Sequence, residues 1–238
     1  MPAAPRYLII GNGRIARHFL HYFGLLGLPC AQWHRGESVA ALPGRVAAAS
    51  HVLVLISDRA IDPFVEEHLL TTSALKVHFS GALASSKAYG AHPLMTFNPG
   101  VYSLDKYRAI PFVVDADAPD FGTLLPGLPN PHYTLPKPLK AKYHAMCVLA
   151  GNFSCILWQK FFETLEAEFH LPKEAGHPYL RQQMDNLIGN PATALTGPLV
   201  RDDRETIAKH LVALEGDPFQ AIYRSFVETY AVIKAKRT

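Results

Sequence analysis

The chain has 238 residues, of which 49% are hydrophobic and 18% are charged, and its formal net charge is +3. This apolar content excludes a mainly disordered chain and is enough for one large domain or two modest ones. The positive charge is small and scattered, which argues against a nucleic-acid-binding protein. Three cysteines without a CxxC pair indicate neither a disulfide framework nor a zinc site.

We also expect no part of the chain to be embedded in a membrane. No apolar run approaches the ~18 residues that a span needs, and no basic-then-apolar signal pattern opens the chain. The sequence therefore predicts a soluble, reduced, cytoplasmic protein.

The first half of the chain alternates short apolar runs with helical patterns. Apolar residues at helical spacing predict a helix that begins at Arg14 and ends before Gly27, and another from about Ile61 to Leu70. The apolar runs predict strands over 7–10, 30–33, 52–56, 77–79 and 112–114. Runs that are apolar on both faces and separated by helices indicate an α/β domain with a doubly wound parallel sheet.

A proline-rich stretch between Pro126 and Pro138 marks a boundary, and no strand pattern follows it. Helices are predicted over 140–170, 179–188, 204–214 and 218–235. We therefore predict an α/β domain over residues 1–136 and an all-helical domain over residues 137–238. An apolar stripe from Met146 to Leu165 spans roughly five turns, which favours a homodimer that forms through the C-terminal helices.

The turn after the first predicted strand matches the pattern G-x-G-x-x-A and opens an amphipathic helix. The first glycine permits the tight turn, the second lets a pyrophosphate approach the backbone, and the alanine lets the helix pack closely on the strand. The pattern predicts a dinucleotide site at the positive end of the helix, with an ordinary glycine-rich turn as the alternative. The predicted cofactor contacts here are Gly11, Asn12, Gly13, Arg14 and Ile15.

The end of the second predicted strand indicates which dinucleotide binds. A site that prefers NAD carries Asp or Glu there, whereas this chain has His34, Arg35 and Ser38 around Glu37. Arg35 with Ser38 and His34 would bind a 2′-phosphate, so the residues favour NADP over NAD. Two alternatives stay open: Arg35 is merely solvated, or the loop brings Glu37 to the ribose.

Further polar residues stand where strands are expected to end. Ser57 and Asp58 follow one strand, Ser80 follows the next, and His92 precedes Pro93. Ligands bind beyond the carboxyl ends of the strands in a doubly wound sheet, so these residues should border the nicotinamide. His92 is the candidate general acid or base because an unperturbed imidazole titrates near neutral pH. The alternative is that His92 only caps the turn at Pro93.

The helical half adds polar candidates. His144 and Asn152 are eight residues apart, about two helical turns, so one face would present both to a substrate. A hydrogen-bonded packing role is the alternative for His144. Thr196 and Arg201 are predicted to bind substrate, because an arginine fork binds both oxygens of a carboxylate. The alternative partners of Arg201 are the carboxylates of Asp185, Asp202 and Asp203.

Other site classes find little support in the sequence. His18 and His21 lack a third ligand and there is no HExxH, so we expect no metal. A GxSxG elbow and a Walker lysine are also missing from the sequence, which argues against hydrolase and P-loop functions.

Several short motifs in chain order suggest a family. They are GNGRIA, Ser57-Asp58, His78-Phe79-Ser80-Gly81-Ala82-Leu83, His92-Pro93-Leu94, Tyr143-His144-Ala145, Gly151-Asn152-Phe153 and Thr196-Gly197-Pro198 with Arg201-Asp202. Together they resemble the Rossmann-like NADP-dependent oxidoreductases that carry a helical C-terminal domain of unknown function. That family is similar in architecture to pyrroline-5-carboxylate reductase, ketopantoate reductase, prephenate dehydrogenase and 6-phosphogluconate dehydrogenase. The resemblance covers nearly the whole chain and implies a helical domain that dimerises and helps to close the substrate cleft.

The resemblance also implies residue roles. His92 parallels the catalytic histidine of prephenate dehydrogenases, and Asn152 falls where relatives place a polar residue near the nicotinamide. The chain departs from its relatives at two points. Val148 stands four residues before Asn152, where 6-phosphogluconate-type enzymes pair a lysine with the asparagine, and Arg201-Asp202-Asp203 replaces the more usual Arg-Gly-Asp.

We therefore expect an oxidoreductase that moves hydride between NADP(H) and a small carbonyl, imine or hydroxy substrate. His92 would exchange the proton, and Ser80 and Asn152 would orient the substrate atom. The alternative is a dimeric sensor or scaffold that binds a dinucleotide without turnover.

Overall fold

The structure is a computed structural model that describes residues 5–236. Its strands are β1 (Tyr7–Ile10), β2 (Cys30–Trp33), β3 (His51–Val54), β4 (Leu75–His78), β5 (Tyr89–Pro93), β6 (Phe112–Asp115) and β7 (His132–Leu135). Its helices are α1 (Arg14–Leu26), α2 (Leu42–Ala48), α3 (Asp58–His68), α4 (Leu104–Arg108), α5 (Phe121–Leu124), α6 (Lys140–Cys147), α7 (Ser154–Ala167), α8 (His177–Gly189), α9 (Pro198–Arg201), α10 (Arg204–Ala213) and α11 (Phe219–Ala235). A π-type turn, Val148–Phe153, joins α6 to α7.

The strands form one seven-stranded sheet in the order β2-β1-β3-β4-β5-β6-β7. The strands β1 to β5 are mutually parallel, whereas β6 is antiparallel to β5 and β7 is parallel to β6. This architecture confirms the predicted fold class of a Rossmann-type sheet followed by helices. The sheet is mixed rather than wholly parallel, because the last two strands run in the opposite direction.

Two strands differ from the sequence-based expectation. The sequence places His92 after a strand, whereas it lies inside β5, whose Gly90 and Pro93 conceal the strand pattern. The stretch interpreted as a boundary contains β7, which is an exposed edge strand. Pro131 and Pro136 stand just outside its ends, where a missing N–H does not interrupt the ladder.

Both faces of the sheet are buried, because alternating residues of each strand face opposite ways. On β1, Tyr7 and Ile9 join one apolar cluster, while Leu8 and Ile10 join the other. Helix α1 covers the first cluster with Phe19 and Phe23 among others. This helix ends as predicted at Gly27, whose φ of 67° is the left-handed conformation that glycine adopts easily.

The chain separates into two compact units, one up to Ile156 and one from Leu157 onward. The division lies inside the helical stretch, about 20 residues beyond the predicted domain limit at residue 136. The two-domain limits of 1–136 and 137–238 stay a prediction. Within the second unit, Trp158, Phe161 and Tyr179 form an aromatic cluster. Many large apolar side chains of this unit are exposed, whereas Leu165 is buried.

The helical stretch Lys137–Ala167 is long and apolar enough, by length and composition alone, to cross a membrane. This differs from the expectation that no apolar run approaches that length. The reason is that uncharged residues of every kind fill the sequence between Lys142 and Lys160, which raises the mean hydropathy without a continuous apolar run.

Candidate active site

The parallel strands β1 to β5 place their carboxyl ends at one edge of the sheet. At this edge the connections from β1 diverge, because β2 lies on one side of it and β3 on the other. Such a point opens a crevice in which doubly wound proteins bind their ligands. The predicted contacts at Gly11, His34, Ser57 and Ser80 follow four of these strands.

The turn after β1 is shaped by two glycines. Gly11 has a φ of 125°, and a Cβ there would collide with the carbonyl group of Leu55. Gly13 begins α1 with open space where a side chain would stand, and no side chain among the described residues caps this helix. The N–H groups of Arg14 and Ile15 are therefore free at the positive end of α1. A pyrophosphate fits this cradle, because it would meet backbone donors and no carboxylate.

Two other residues of the motif have separate surroundings. The Arg14 guanidinium donates a hydrogen bond to the carbonyl oxygen of Phe97 at 3.0 Å, which ties α1 to the loop after β5. Asn12 is exposed between the two glycines.

The carboxylate of the loop after β2 is already paired within the protein. Glu37 accepts hydrogen bonds from Arg45 at 2.6 Å and from the backbone N–H of His34 at 3.2 Å. The Arg45 guanidinium lowers the pKa of Glu37, so that carboxylate is ionised and paired. Within residues 5–236, Arg35 has no ion-pair or hydrogen-bond partner, nor does the exposed Ser38 hydroxyl. The Arg35 guanidinium and the Ser38 hydroxyl are thus available to a ligand, whereas the Glu37 carboxylate is paired with Arg45.

The Ser80 hydroxyl, predicted to orient substrate, is engaged inside the protein. It donates to Asp58 at 2.5 Å and accepts from the backbone N–H groups of Ala82 and Leu83. A hydroxyl offers one donor and two acceptor positions, so all three are occupied. Ser57 precedes α3, and its hydroxyl caps none of the described N–H groups.

A second serine repeats this arrangement one helical turn along α3. The Ser85 hydroxyl donates to Asp62 at 2.5 Å and accepts two backbone N–H groups. Lys87 adds an ion pair with Glu66. Three acidic residues of α3 therefore fix the loop 80–88, including the backbone at Gly81.

One face of β4, β5 and β6 carries polar side chains beneath α6. Residues of α6 at spacings of three and four share one helical face, and that face meets the sheet here. We call this group the polar layer: His78, His92 and Asp115 on the strands, with Lys140, Tyr143 and His144 on α6. Of these residues, sequence reasoning singled out only His92 and His144 as candidates.

A buried ion pair forms the inner end of the polar layer. The Lys140 ammonium lies 2.6 Å from the Asp115 carboxylate, and both side chains are almost fully buried. The second oxygen of Asp115 accepts from the backbone N–H of Gly90 at 2.7 Å. A Cβ at Gly90 would collide with both charged groups, so this glycine admits the pair. A glycine inside a strand was the available signal for such a close approach.

His92 lies at the carboxyl end of β5 and is hydrogen-bonded to α6. Its Nδ1 is 2.9 Å from the Tyr143 hydroxyl. Burial is the main cause that lowers the pKa of His92 to about 4, and the neighbouring His144 and Lys140 contribute to the same shift. Burial raises the pKa of Tyr143. At neutral pH the pair is therefore an uncharged imidazole and an intact phenol, and the ordinary titration that suggested His92 does not hold in its folded surroundings.

His144 packs against the loop after β4. Its ring is perpendicular to that of His92, with centroids 5.6 Å apart, and a Cβ at Gly81 would collide with its Nδ1. That Nδ1 is buried and has no hydrogen-bond partner among residues 5–236, as is also true of Nε2 of His78. Nε2 of His144 is not buried in this way. The structure thus brings His92 and His144 together at one edge of the sheet.

Asn152 lies exposed in the π-type turn, and its amide makes no hydrogen bond with the described residues. The predicted common face of His144 and Asn152 assumed regular α-helical spacing, which this turn interrupts. Beyond it, Ser154 donates to the carbonyl oxygens of Ala150 and Gly151. Such turns occur frequently at functional sites.

The predicted substrate contacts Thr196 and Arg201 belong to the second unit. Both are exposed, and Arg201 is the last residue of α9. Arg201 forms no ion pair within the described part of the chain; instead Asp202 lies 3.7 Å from Arg204, and Asp203 caps α10. The described residues contain no cluster of three or more His, Cys, Asp or Glu that could hold a metal ion.

Comparison with known proteins identifies one domain family and a shared fold. Residues 110–230, just over half of the chain, match the profile of a domain of unknown function, DUF2520. The match agrees with the resemblance to proteins that carry a helical C-terminal domain of unknown function. No curated protein matches the chain.

Solved structures share the fold at low sequence identity. BF3122 from Bacteroides fragilis, whose name proposes an NADP oxidoreductase activity, is 22% identical with a TM-score of 0.77, over 95% of this chain and 97% of its own. Protein TM1727 from Thermotoga maritima is 21% identical with a TM-score of 0.66, over 98% of this chain and 100% of its own. A reductive aminase from Aspergillus terreus, solved with NADPH and ethyl levulinate, is 14% identical with a TM-score of 0.59, over 98% of this chain and 93% of its own.

Proposed function

The chain belongs to the DUF2520 family, and from this premise and the geometry of its sheet edge we propose that it is an NADP-dependent oxidoreductase. The observation that carries the proposal is the uncapped positive end of α1 beside a turn that only glycine fits at Gly11. The similarity in fold to a reductive aminase solved with NADPH supports it. The substrate would be a small carbonyl, imine or hydroxy compound.

NADP is favoured over NAD by the loop after β2. Arg35 and Ser38 are exposed and unpaired among the described residues, with His34 beside them, and together they would hold a 2′-phosphate. Glu37 is paired with Arg45, which removes the competing carboxylate.

When bound, NADP would supply or accept a hydride at its nicotinamide. Gly11, Gly13 and the first turn of α1 would hold the pyrophosphate, and Ser57 and Asp58 would border the crevice. Within the protein, the Ser80 hydroxyl donates a hydrogen bond to Asp58 and so fixes the loop after β4. The uncharged pair of His92 and Tyr143 is hydrogen-bonded at the carboxyl end of β5 and would border the substrate. Asn152, Thr196 and Arg201 remain proposed substrate contacts.

Cofactor titration tests this proposal. Fluorescence titrations with NADPH and NADH should show tighter binding of NADPH. Arg35→Glu should weaken NADPH binding by about 10- to 100-fold, the effect of losing one charged hydrogen bond, and should leave NADH nearly unchanged. The matched control is Arg224→Glu, because Arg224 is an exposed arginine on α11, outside the unit that carries the proposed phosphate site. Equal losses for both cofactors would exclude Arg35 as the contact, and absence of NADPH binding would refute the proposed function.

Turnover separates the enzyme from the alternative of a dimeric sensor or scaffold. The absorbance of reduced nicotinamide should change when the protein and NADPH meet a suitable carbonyl or imine compound. Tight NADPH binding without any change across a panel of aldehydes, ketones, imines and hydroxy acids would favour the sensor.

We also propose a homodimer, in a soluble, cytoplasmic protein. Met146, Leu149 and Phe153 are each about half exposed along α6 and the π-type turn, and pairing with a second copy would cover them. All three cysteines are free, as a reducing compartment requires. Light scattering should give twice the chain mass, and Phe153→Asp should give a monomer. Val39→Asp, at an exposed apolar residue of the α/β region, should remain dimeric, and a monomeric wild-type protein would contradict the proposal.

A further inference from the structure

Nδ1 of His144 is a buried polar atom that has no hydrogen-bond partner within residues 5–236. The ring packs directly on the backbone at Gly81, where a side chain would leave it no room. Buried polar atoms are almost always hydrogen-bonded, so an exception at a candidate site calls for a functional reason.

The missing partner fixes which nitrogen carries the proton. A neutral imidazole has one N–H donor and one lone pair. A buried N–H without an acceptor is rarer in proteins than a buried acceptor without a donor. His144 therefore keeps its lone pair on Nδ1 and its proton on Nε2, the nitrogen that is not enclosed. A proton on Nδ1 would instead be a buried N–H without a hydrogen-bond partner among the described residues.

The other polar groups that the structure describes around His144 are already engaged within the protein. His92 has a pKa of about 4 and is neutral at physiological pH, and burial raises the pKa of Tyr143. The Lys140 ammonium is paired with the Asp115 carboxylate at 2.6 Å. Asp58 accepts a hydrogen bond from the Ser80 hydroxyl. The donor available to a substrate atom is thus the N–H at Nε2 of His144.

We propose that His144 is a catalytic residue that donates a hydrogen bond from Nε2 to the oxygen of a carbonyl substrate, so that the substrate class is a ketone or aldehyde and the corresponding alcohol. This inference rests on the proposed oxidoreductase function and narrows its substrate. Gly81 is the positioning residue, because only a glycine lets the ring lie at this place.

The chemistry of carbonyl reduction suits a fixed N–H donor. The hydride of NADPH, with its electron pair, forms the new C–H bond at the carbonyl carbon, and the π pair of the C=O bond moves to oxygen. The Nε2–H group stabilises the negative charge that develops there, and the alkoxide then takes a proton from water to give the alcohol. A preorganised donor of this kind contributes roughly 10²- to 10³-fold to the rate.

An imine would be served poorly by the same group. The form of an imine that accepts hydride readily is protonated, so its nitrogen carries an N–H and no lone pair. An N–H donor at His144 would face another N–H donor, without a hydrogen bond. Carbonyl compounds are therefore the substrate class that this site favours.

The tautomer is measured first, without any turnover. Nitrogen NMR of the protein labelled at histidine, alone and with NADPH, should show His144 at neutral pH with its proton on Nε2. The signal is assigned by its loss in His144→Gln. A ring that carries its proton on Nδ1 would overturn the proposal.

Two matched variants then test the role of the donor. His144→Gln can place an amide N–H near the position of Nε2, whereas the shorter His144→Asn cannot. With cyclohexanone, butanal and pyruvate as carbonyl probes, His144→Asn should lower kcat by about 100-fold or more, and His144→Gln should lower it by about tenfold or less. Gly81→Ala should also lower kcat, because the added methyl group displaces the ring. All three variants should retain wild-type NADPH affinity.

The outcomes separate this inference from the proposed function. Absence of NADPH binding to the wild-type protein would overturn both. If NADPH binds but none of the carbonyl probes is reduced, or only the cyclic imine 1-pyrroline is reduced, the inference alone fails. Equal loss of kcat in the Gln and Asn variants would likewise overturn it.

Discussion

The two faces of β4, β5 and β6 differ sharply, although their residues alternate along the same three strands. Toward α1 these strands present apolar side chains that belong to the larger hydrophobic cluster: Val77, Phe79, Ala91, Phe112 and Val114. Phe79 and Phe112 contact the ring of Phe19 on α1. Toward α6 the neighbouring residues are His78, Gly90, His92 and Asp115. One face follows the usual construction of an α/β protein, and the other buries charge and imidazole.

The comparison shows where stability and where chemistry are located. Apolar burial contributes roughly 25 cal/mol per Å² of surface removed from water. Polar and charged groups lose hydration on burial and recover it only when they are fully paired. The ion pair of Lys140 and Asp115 is well paired, yet the layer leaves His78 and His144 each with an unpartnered nitrogen among the described residues. A layer that costs free energy in this way points to function rather than to stability.

The largest expected effect comes from breaking the ion pair. Lys140→Met should lower the free energy of unfolding by about 3 kcal/mol, because the buried Asp115 carboxylate then keeps only the more distant Lys137 ammonium, 3.9 Å away. The double variant Lys140→Met with Asp115→Leu should recover most of this loss, since no charge remains buried. Urea unfolding measures both. A single variant as stable as the wild type would show that the two faces do not differ energetically as described.

Lowering the pH should destabilise the protein through the polar face by an amount almost as large as the loss expected for Lys140→Met. Burial lowers the pKa of His78 and of His92 from 6.5 to about 4. Between these two pH values both histidines are protonated in the unfolded chain but not in the folded chain. The free energy of unfolding should therefore fall as the pH drops from 6.5 toward 4, by up to about 3 kcal/mol for each histidine.

Variants on each face sharpen the acid experiment. His78→Phe should make the loss of stability less steep with falling pH, because one of the two histidines no longer titrates. Phe19→Leu on the apolar face should lower stability by the same amount at every pH. A pH dependence unchanged in His78→Phe would argue against the assigned role of burial.

The smallest expected effect concerns single hydroxyl groups. Tyr143→Phe removes the hydrogen bond to Nδ1 of His92, at a cost of about 1–2 kcal/mol. The control on the apolar face is Tyr7→Phe, which removes a hydroxyl that donates to the carbonyl oxygen of Pro126 at 2.7 Å. The two should lose similar stability, but only Tyr143→Phe should change the NMR titration of His92. Equal titration curves would mean that the phenol does not govern this imidazole.

Elements with strong local signals were predicted from the sequence almost to the residue. The apolar runs of β1 and β2, the helical spacing of α1 and its glycine end at Gly27 agree with the structure. The strands β5 and β7 were not predicted, because Gly90 and flanking prolines hide a strand whose stability comes from its neighbours in the sheet. The reversed direction of β6 also left no local pattern, since strand direction depends on pairing.

The sequence by itself determined the cradle at Gly11 and Gly13, because a tight turn and a free helix end are local properties of a few adjacent residues. It also indicated His92 and His144 by residue type. Only the tertiary structure decided that Asp115 and Lys140 form a buried pair over Gly90, and that the His144 ring rests on Gly81. These groups come from separate strands, a loop and a helix, and their protonation depends on burial and on neighbouring charges that do not exist until the chain has folded.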